Sequence, residues 1–190
     1  MIAKRWHTIS RIISDYNLSF GAEVGVQSGE NIKQVLSRTS GFFFYAVDCW
    51  DPTFKYQDWS TKMQSIHEKH FEKVLLQFPG QIKKLKGYSE DVVSQIPDDS
   101  LDLVFLDASH DYFSTCENIF LYLQKIRLGG FIGGHDYGHP KFPGVKKAVD
   151  EAFKNVSIFP DYVWFAKNDG CCLHIGHWLE VEQQRDPLLA

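Results

Sequence analysis

Residues 20–32, "FGAEVGVQSGENI", decide the fold. The stretch opens as a short apolar run, turns through Gly25 and Gly29, and passes near Ser28 into helical spacing. Strand, glycine turn and helix in that order make the first half of a βαβ unit. The same grammar recurs along the chain. "FFFYAVD" (42–48), "QIKKLKG" (81–87), "LDLVFLD" (101–107) and "GGFIGGHD" (129–136) read as further strands, each bounded by turn residues. Helical spacing occupies 28–38, 59–78, 90–96, 113–127 and 143–154. In the fourth of these, Ile119, Tyr122, Leu123 and Ile126 recur at three- and four-residue steps, and Gly129 with Gly130 supply a stop. Alternating strands and helices pair the strands in parallel and cover both faces, so a Rossmann-like, doubly wound α/β sheet is expected.

The flanks complete the domain. Trp6, Ile9, Ile12, Ile13 and Tyr16 fall on one helical face, which predicts a helix packed on the domain within residues 1–19. At the other end, "YVWFAKNDGCCLHIGHW" (162–178) reads as a terminal hairpin turning at Asn168, Asp169 and Gly170. A single domain over 20–178 and a polar tail over 179–190 follow. A chain of 190 residues with 44% hydrophobic and 15% aromatic content can bury one sizeable core.

Charge and cysteine usage narrow the partners. A formal net charge of -4 argues against a general grip on nucleic acid or anionic lipid, both of which need surplus Lys and Arg. No apolar run approaches a membrane span, and "MIAKRWHTIS" lacks the apolar middle of a signal peptide. Cys49, Cys116, Cys171 and Cys172 show neither CxxC spacing nor the density of a disulfide scaffold, so a reducing cytoplasm is the expected compartment. "CCLHIGH" (171–177) lacks zinc-ligand spacing and reads as core strand.

In open α/β sheets ligands settle beyond the carboxyl ends of the strands, where the strand order reverses. At the first such end, the dinucleotide fingerprint GxGxxG fails, because Gln27 and Glu30 stand where glycines would be needed after Gly25. The acid Glu23 beside this turn suits a cationic ligand, as the sulfonium and amino groups of S-adenosylmethionine are. Asp48 ends the second strand, where a carboxylate can accept from both ribose hydroxyls. Either acid alone could be a local cap; together they favour nucleoside binding. Ser89, in "GYSEDV" (87–92), is placed for the adenine rim or as a helix cap.

With these residues in view, the chain resembles the class I S-adenosylmethionine-dependent methyltransferases over about residues 20–153. "AEVGVQSGENI" matches their glycine-rich first motif and "YAVDCW" their acidic second motif. "LDLVFLDASHDY" and "LGGFIGGHDYGHPKFPGVKKAVDEAF" follow in order. The nearest pattern is that of the small bacterial macrocin-type O-methyltransferases, with a strand-four DxxH and a strand-five aspartate. The resemblance implies a seven-stranded sheet with an antiparallel last strand, and a cofactor site of Glu23, Gly25, Gln27, Gly29, Asp48, Trp50, Ser89 and Asp107. Two departures stand out: Gln27 replaces the middle glycine of the usual GxGxG, and Ala108 stands where the branch often has Gly. Phe54, Tyr56 and Trp59, with Trp50, lie where this fold often carries a lid over the cofactor.

Asp107 and Asp136 end adjacent parallel strands, about 4.8 Å apart, so their carboxylates can converge on Mg²⁺ or a similar cation. Loop capping, or pairing with Lys141 or Lys146, is the competing role for both acids. His110, three residues after Asp107, is the candidate general base, the role the resemblance gives the DxxH histidine. The related catechol-type enzymes carry Asn after the strand-five aspartate; Tyr137 stands here, and the third metal ligand is unassigned. Strand alternation turns His135 away from Asp136, to a structural or supporting role. His139 and Tyr137 are candidates for the acceptor pocket. The expected activity is metal-assisted O-methylation of a small-molecule hydroxyl, on a sugar or specialised metabolite. A non-catalytic S-adenosylmethionine-binding module and, more remotely, an NAD-dependent oxidoreductase are the alternatives. The acceptor site could be completed across a homo-oligomer interface.

Overall fold

The computed structural model describes residues 3–51 and 61–170. Phe54, Tyr56, Trp59, the second arm of the expected hairpin and the tail over 179–190 lie outside them. Helix α1 (Arg5–Asp15) precedes strand β1 (Phe20–Val24), and the chain then alternates α2 (Glu30–Leu36), β2 (Phe43–Asp48), α3 (Thr61–Gln77) and β3 (Ile82–Lys86). The second half runs through α4 (Ser89–Val92) with a 3₁₀ turn, β4 (Leu101–Leu106), α5 (Tyr112–Leu123), β5 (Ile126–Gly134) and α6 (Pro143–Ala152). It ends in β6 (Ser157–Phe159) and β7 (Val163–Lys167).

The sheet order is β3-β2-β1-β4-β5-β7-β6. β1 to β5 pair in parallel, whereas β7 runs antiparallel to β5 and β6 antiparallel to β7. The chain works outward from β1 to β3, then returns to build β4 and β5 on the other side. That reversal opens a crevice between the ends of β1 and β4. Central strands are buried on both faces, which is why β4 reads as an apolar run and all six of its residues are buried.

Two apolar layers sandwich the sheet. Ile9, Ile12 and Ile13 of α1 join Val26, Ile32, Phe42, Phe44, Phe105 and Phe131 in one. Val92, Val93, Ile119, Tyr122, Val145 and Val149 from the opposite helices meet Val104, Ile132 and Trp164 in the other. The face predicted for α1 is the face it buries, although Tyr16 at its end stays exposed against the Phe131 ring.

Two boundaries differ from the sequence reading. α5 stops at Leu123 and β5 begins at Ile126, before the glycines. Ile126 pairs with Leu101 across the sheet, and a register shift absorbs the extra residues before Phe131 pairs with Leu103. Sheet pairing wins over the three-to-four spacing that had extended the helix. The first arm of the expected terminal hairpin is β7, but its described partner is β6, reached backward through a turn at 160–162 where Asp161 and Tyr162 have φ of 65° and 54°.

Asp102 ties the layers together at the start of β4. It is fully buried, accepts from the backbone N–H groups of Ser19 and Phe20 at 2.7 and 2.9 Å, and pairs with Arg127. An orphaned buried donor costs about 1–3 kcal/mol. Asp102→Ala should therefore lower the urea midpoint markedly, whereas Arg127→Ala, which keeps both backbone bonds to Asp102, should lower it less. Equal losses would contradict this account.

Candidate active site

The β1 turn builds the floor of the site. Gly25 has φ of 91°, and a Cβ there would lie 2.1 Å from the Asp107 carbonyl oxygen. Only glycine fits both constraints, so the turn of β1 is pressed against the end of β4. Gln27 also has a left-handed backbone, φ 56°, at the position where the usual motif has glycine. Two contacts hold it there: its N–H donates to Asp48 Oδ2 at 2.7 Å, and its carbonyl accepts from Trp50 Nε1 at 2.7 Å. Left-handed backbone costs a side-chain-bearing residue roughly 1–2 kcal/mol, which these bonds offset. Gly29, φ 79°, then caps α2.

A cavity of about 580 Å³ lies over this floor and touches Glu23, Gly25, Gln27, Asp48, Ser89, Asp107, His110 and Asp136. Its size is in the range of small-molecule sites. Gly29 lies beneath it, packed against Phe71. Asp48 accepts from Gln27 N and, at 3.0 Å, from Trp50 N, which aim its carboxylate while leaving lone pairs for a ligand. Ser89 opens α4; the cap position before it is Tyr88, and the Ser89 hydroxyl donates to Glu90.

Trp50 is placed differently from its expected cofactor contact. Its ring is fully buried and stacked on Phe71, with centroids 5.0 Å apart. Burial of a large aromatic surface draws it into the core, from where it supports Gln27 instead of lining the cavity. Tyr137 and His139 also lie off the cavity wall. The Tyr137 hydroxyl donates to Asp150 at 2.6 Å, while His139 stacks on Phe142 at 5.0 Å and lines an adjoining groove.

Beyond the ends of β4 and β5, Asp107, His110 and Asp136 bring one ligand atom each within 4.8 Å of one another. His110 Nδ1 lies 3.1 Å from Asp136 Oδ2, and His135 Nδ1 lies 3.1 Å from Asp136 Oδ1. The orientation of His135 therefore overturns the expectation from alternation. Asp136 has φ of 63°, which breaks the extended geometry and swings both side chains to the same side. His135 also approaches Asp107 at 3.8 Å and Asp161 at 4.0 Å. The tripeptide His-Asp-Tyr occurs at 110–112 and again at 135–137, but the two copies are not equivalent: Asp111 caps α5 by accepting from Ser114 N at 2.9 Å.

Burial raises all three acids, and their neighbours decide the outcome. It pushes Glu23 up to about 8, with the nearby Asp107 charge adding to the effect. Burial also raises Asp107, against the opposing pull of Arg5, His135 and His110. For Asp136 burial acts upward too, but the His135 contact and the surrounding imidazoles outweigh it and hold the carboxyl below its ordinary range.

Three contributors had no local signal in the sequence. Arg5 of α1 reaches the cavity and pairs with Asp107. Asn31 donates to Glu23 Oε2 at 3.1 Å, and its buried Oδ1 has no hydrogen-bond partner among the described residues. Asn118 of α5 likewise brings an unpartnered Oδ1 to the wall. Buried acceptors left open in this way suit a ligand rich in donors or positive charge. The two carboxylates are, in turn, oxygen donors suited to a hard divalent cation, with the imidazole beside them.

No match to a curated protein sequence was significant. The O-methyltransferase NovP is 20% identical, covering 86% of this chain and 79% of its own, with a TM-score of 0.62. An O-methyltransferase from Bacillus cereus, solved in complex with SAH, is 13% identical over 86% of this chain and 80% of its own, with a TM-score of 0.63. The O-methyltransferase TomG from Streptomyces achromogenes, in complex with SAM, is 12% identical over 86% and 79%, with a TM-score of 0.61. These likenesses establish a shared Rossmann-like methyltransferase fold. A family model described as "Methyltransferase domain" matches residues 22–137, from the buried end of β1 past Asp136, and the chain belongs to that methyltransferase family.

Proposed function

We propose that the protein transfers a methyl group from S-adenosylmethionine to a hydroxyl of a small molecule, a sugar or specialised metabolite, with assistance from a divalent cation. The observation that carries this reading is the meeting of Asp107, His110 and Asp136 at the edge of a cavity whose floor is the Gly25 turn. The donor supplies the methyl on a sulfonium; the acceptor oxygen forms a bond to that carbon as the carbon–sulfur bond breaks. Such a displacement asks the protein for alignment and for a place to put the acceptor's proton.

Each residue has a task. Glu23, Asn31 and the turn from Gly25 to Gly29 face the methionine part of the donor. Asp48, aimed by Gln27 and Trp50, takes the ribose hydroxyls, and Ser89 borders the adenine. Asp107 and Asp136 are the residues that would hold Mg²⁺ or a similar ion, which when bound lowers the pKa of the acceptor hydroxyl and directs it. His110 receives the proton: with Nδ1 3.1 Å from Asp136, the proton belongs on Nδ1 and the lone pair on Nε2, the tautomer a base needs. Phe142, 4.4 Å from the His110 ring centroid, gives the acceptor an aromatic wall, with His139 stacked behind it.

Calorimetric titration with S-adenosylmethionine and S-adenosylhomocysteine tests the donor, and binding of neither would overturn the reading. Asp107→Asn and Asp136→Asn should each remove divalent-ion dependence while S-adenosylhomocysteine still binds; activity of the parent that survives chelation would rule the ion out. For His110→Ala, kcat should fall about 10²- to 10⁴-fold with cofactor affinity nearly unchanged, and a binder without turnover would show no rate to lose. Glu23 gives a pH test. Its folded pKa of about 8 exceeds the ordinary 4.5, so between these values the unfolded state loses a proton that the folded state keeps. Stability should fall as pH rises through that window, and chemical unfolding of Glu23→Gln should show a flatter slope there than the parent.

A further inference from the structure

The cavity wall is strongly acidic. Asp48, Asp107 and Asp136 line it beside Glu23, which keeps its proton to about pH 8, with Glu30, Glu90 and Glu117 farther along. That wall suits the sulfonium and α-ammonium of the proposed methyl donor, but it repels the α-carboxylate carried on the same amino-acid tail. A guanidinium is the strongest partner for that carboxylate. Among the described residues lining the cavity, Arg5 is the only arginine or lysine.

Arg5 is held for such a task at both ends. Its backbone N–H donates to Asp161 Oδ2 at 3.0 Å, in the turn between β6 and β7. One turn and more along the helix, Ile9, Ile12 and Ile13 bury α1 in the core. The side chain, 30% exposed, reaches from this anchored helix to Asp107. A guanidinium offers five N–H donors in a rigid fork, so a contact through Nη1 leaves donors for a second carboxylate.

Its position along the sheet also matches. Asp107, the partner of Arg5, is pressed against Gly25, so the guanidinium sits where the ends of β1 and β4 meet. Asp48 on β2 lies to one side of that point and Asp136 beyond β5 to the other. A donor whose ribose is at Asp48 and whose methyl faces His110 and Asp136 therefore runs its amino-acid tail past β1 and β4. Adjacent strands are about 4.8 Å apart, a spacing that keeps the tail within the reach of an arginine.

We infer that Arg5 is the positioning residue for the α-carboxylate of the methyl donor, bridging it to Asp107. This rests on the S-adenosylmethionine reading above. The bridge makes the N-terminal helix part of the cofactor site, and it sets apart ligands that carry the carboxylate from those that lack it.

Decarboxylated S-adenosylmethionine keeps the sulfonium and the amine and lacks only the carboxylate, so its titration beside S-adenosylmethionine isolates the contact. The parent should prefer S-adenosylmethionine by about 10- to 100-fold, the usual range for a hydrogen-bonded charge contact. Arg5→Gln should weaken S-adenosylmethionine by that factor and leave the decarboxylated ligand nearly unchanged, which also reports an intact pocket. Arg5→Lys should retain part of the preference, since the charge remains without the fork. Equal affinity of the parent for both ligands would overturn the inference. So would an equal loss of both in Arg5→Gln, which would mean that Arg5 only docks the helix. Unchanged affinity for both with tighter Mn²⁺ binding would make Arg5 a mere counter-ion of Asp107, and is equally fatal. Failure of the parent to bind either ligand would instead sink the donor reading itself, and this inference with it.

Discussion

The close approach of the Gly25 turn to the carbonyl of Asp107 is the constraint on which the rest of this structure depends. The parallel pairing of β1 with β4 brings Val24 beside Leu106, and the Asp107 N–H then donates to Val24 O at 2.7 Å. With no Cβ at Gly25, the two strand ends meet without a side chain between them. One short contact thus brings together the glycine turn, the buried acid of β1 and the first acid of the β4 end. Larger side chains at Gly25 would push apart the two halves of the doubly wound sheet where its ligand crevice forms.

Electrostatics then divide the labour among acids that look alike in the sequence. Glu23 is shut into the core beside Asn31 and holds its proton to about pH 8, so it can respond to the arrival of positive charge. Asp136 is bracketed by His110 and His135, one imidazole on each carboxylate oxygen, and stays ionised. Asp107 lies between them with Arg5 as its counter-ion. Asp102, equally buried, faces the opposite end of the sheet, where two backbone donors hold one of its oxygens and Arg127 pairs with the other, which makes it structural.

Much of this was legible in one dimension. The alternation of apolar runs with helical spacing foretold the parallel strands and the helices between them, because a strand buried on both faces must be apolar and a covering helix must be amphipathic. Glu23, Gly25, Asp48, Asp107 and Asp136 could be placed at strand ends because turn residues mark those ends. Inference failed where a backbone departed from its regular period. The left-handed Asp136 turned His135 into the site, and sheet pairing at Ile126 cut α5 short. It failed too where packing competed with exposure, as for Trp50, whose ring is buried in the core beside Phe71.

By itself, then, the sequence determined the fold class, the order of its elements and the strand ends at which chemistry collects, since these follow from local periodicity and turn chemistry. Only the tertiary structure decided which side chains from distant segments share one space. Arg5 lies 102 residues from Asp107 in the chain, and Asn31 and Asn118 come from different helices. No local pattern encodes such meetings. They arise when the burial of α1 and the pairing of β1 with β4 and β5 bring those segments to one edge of the sheet.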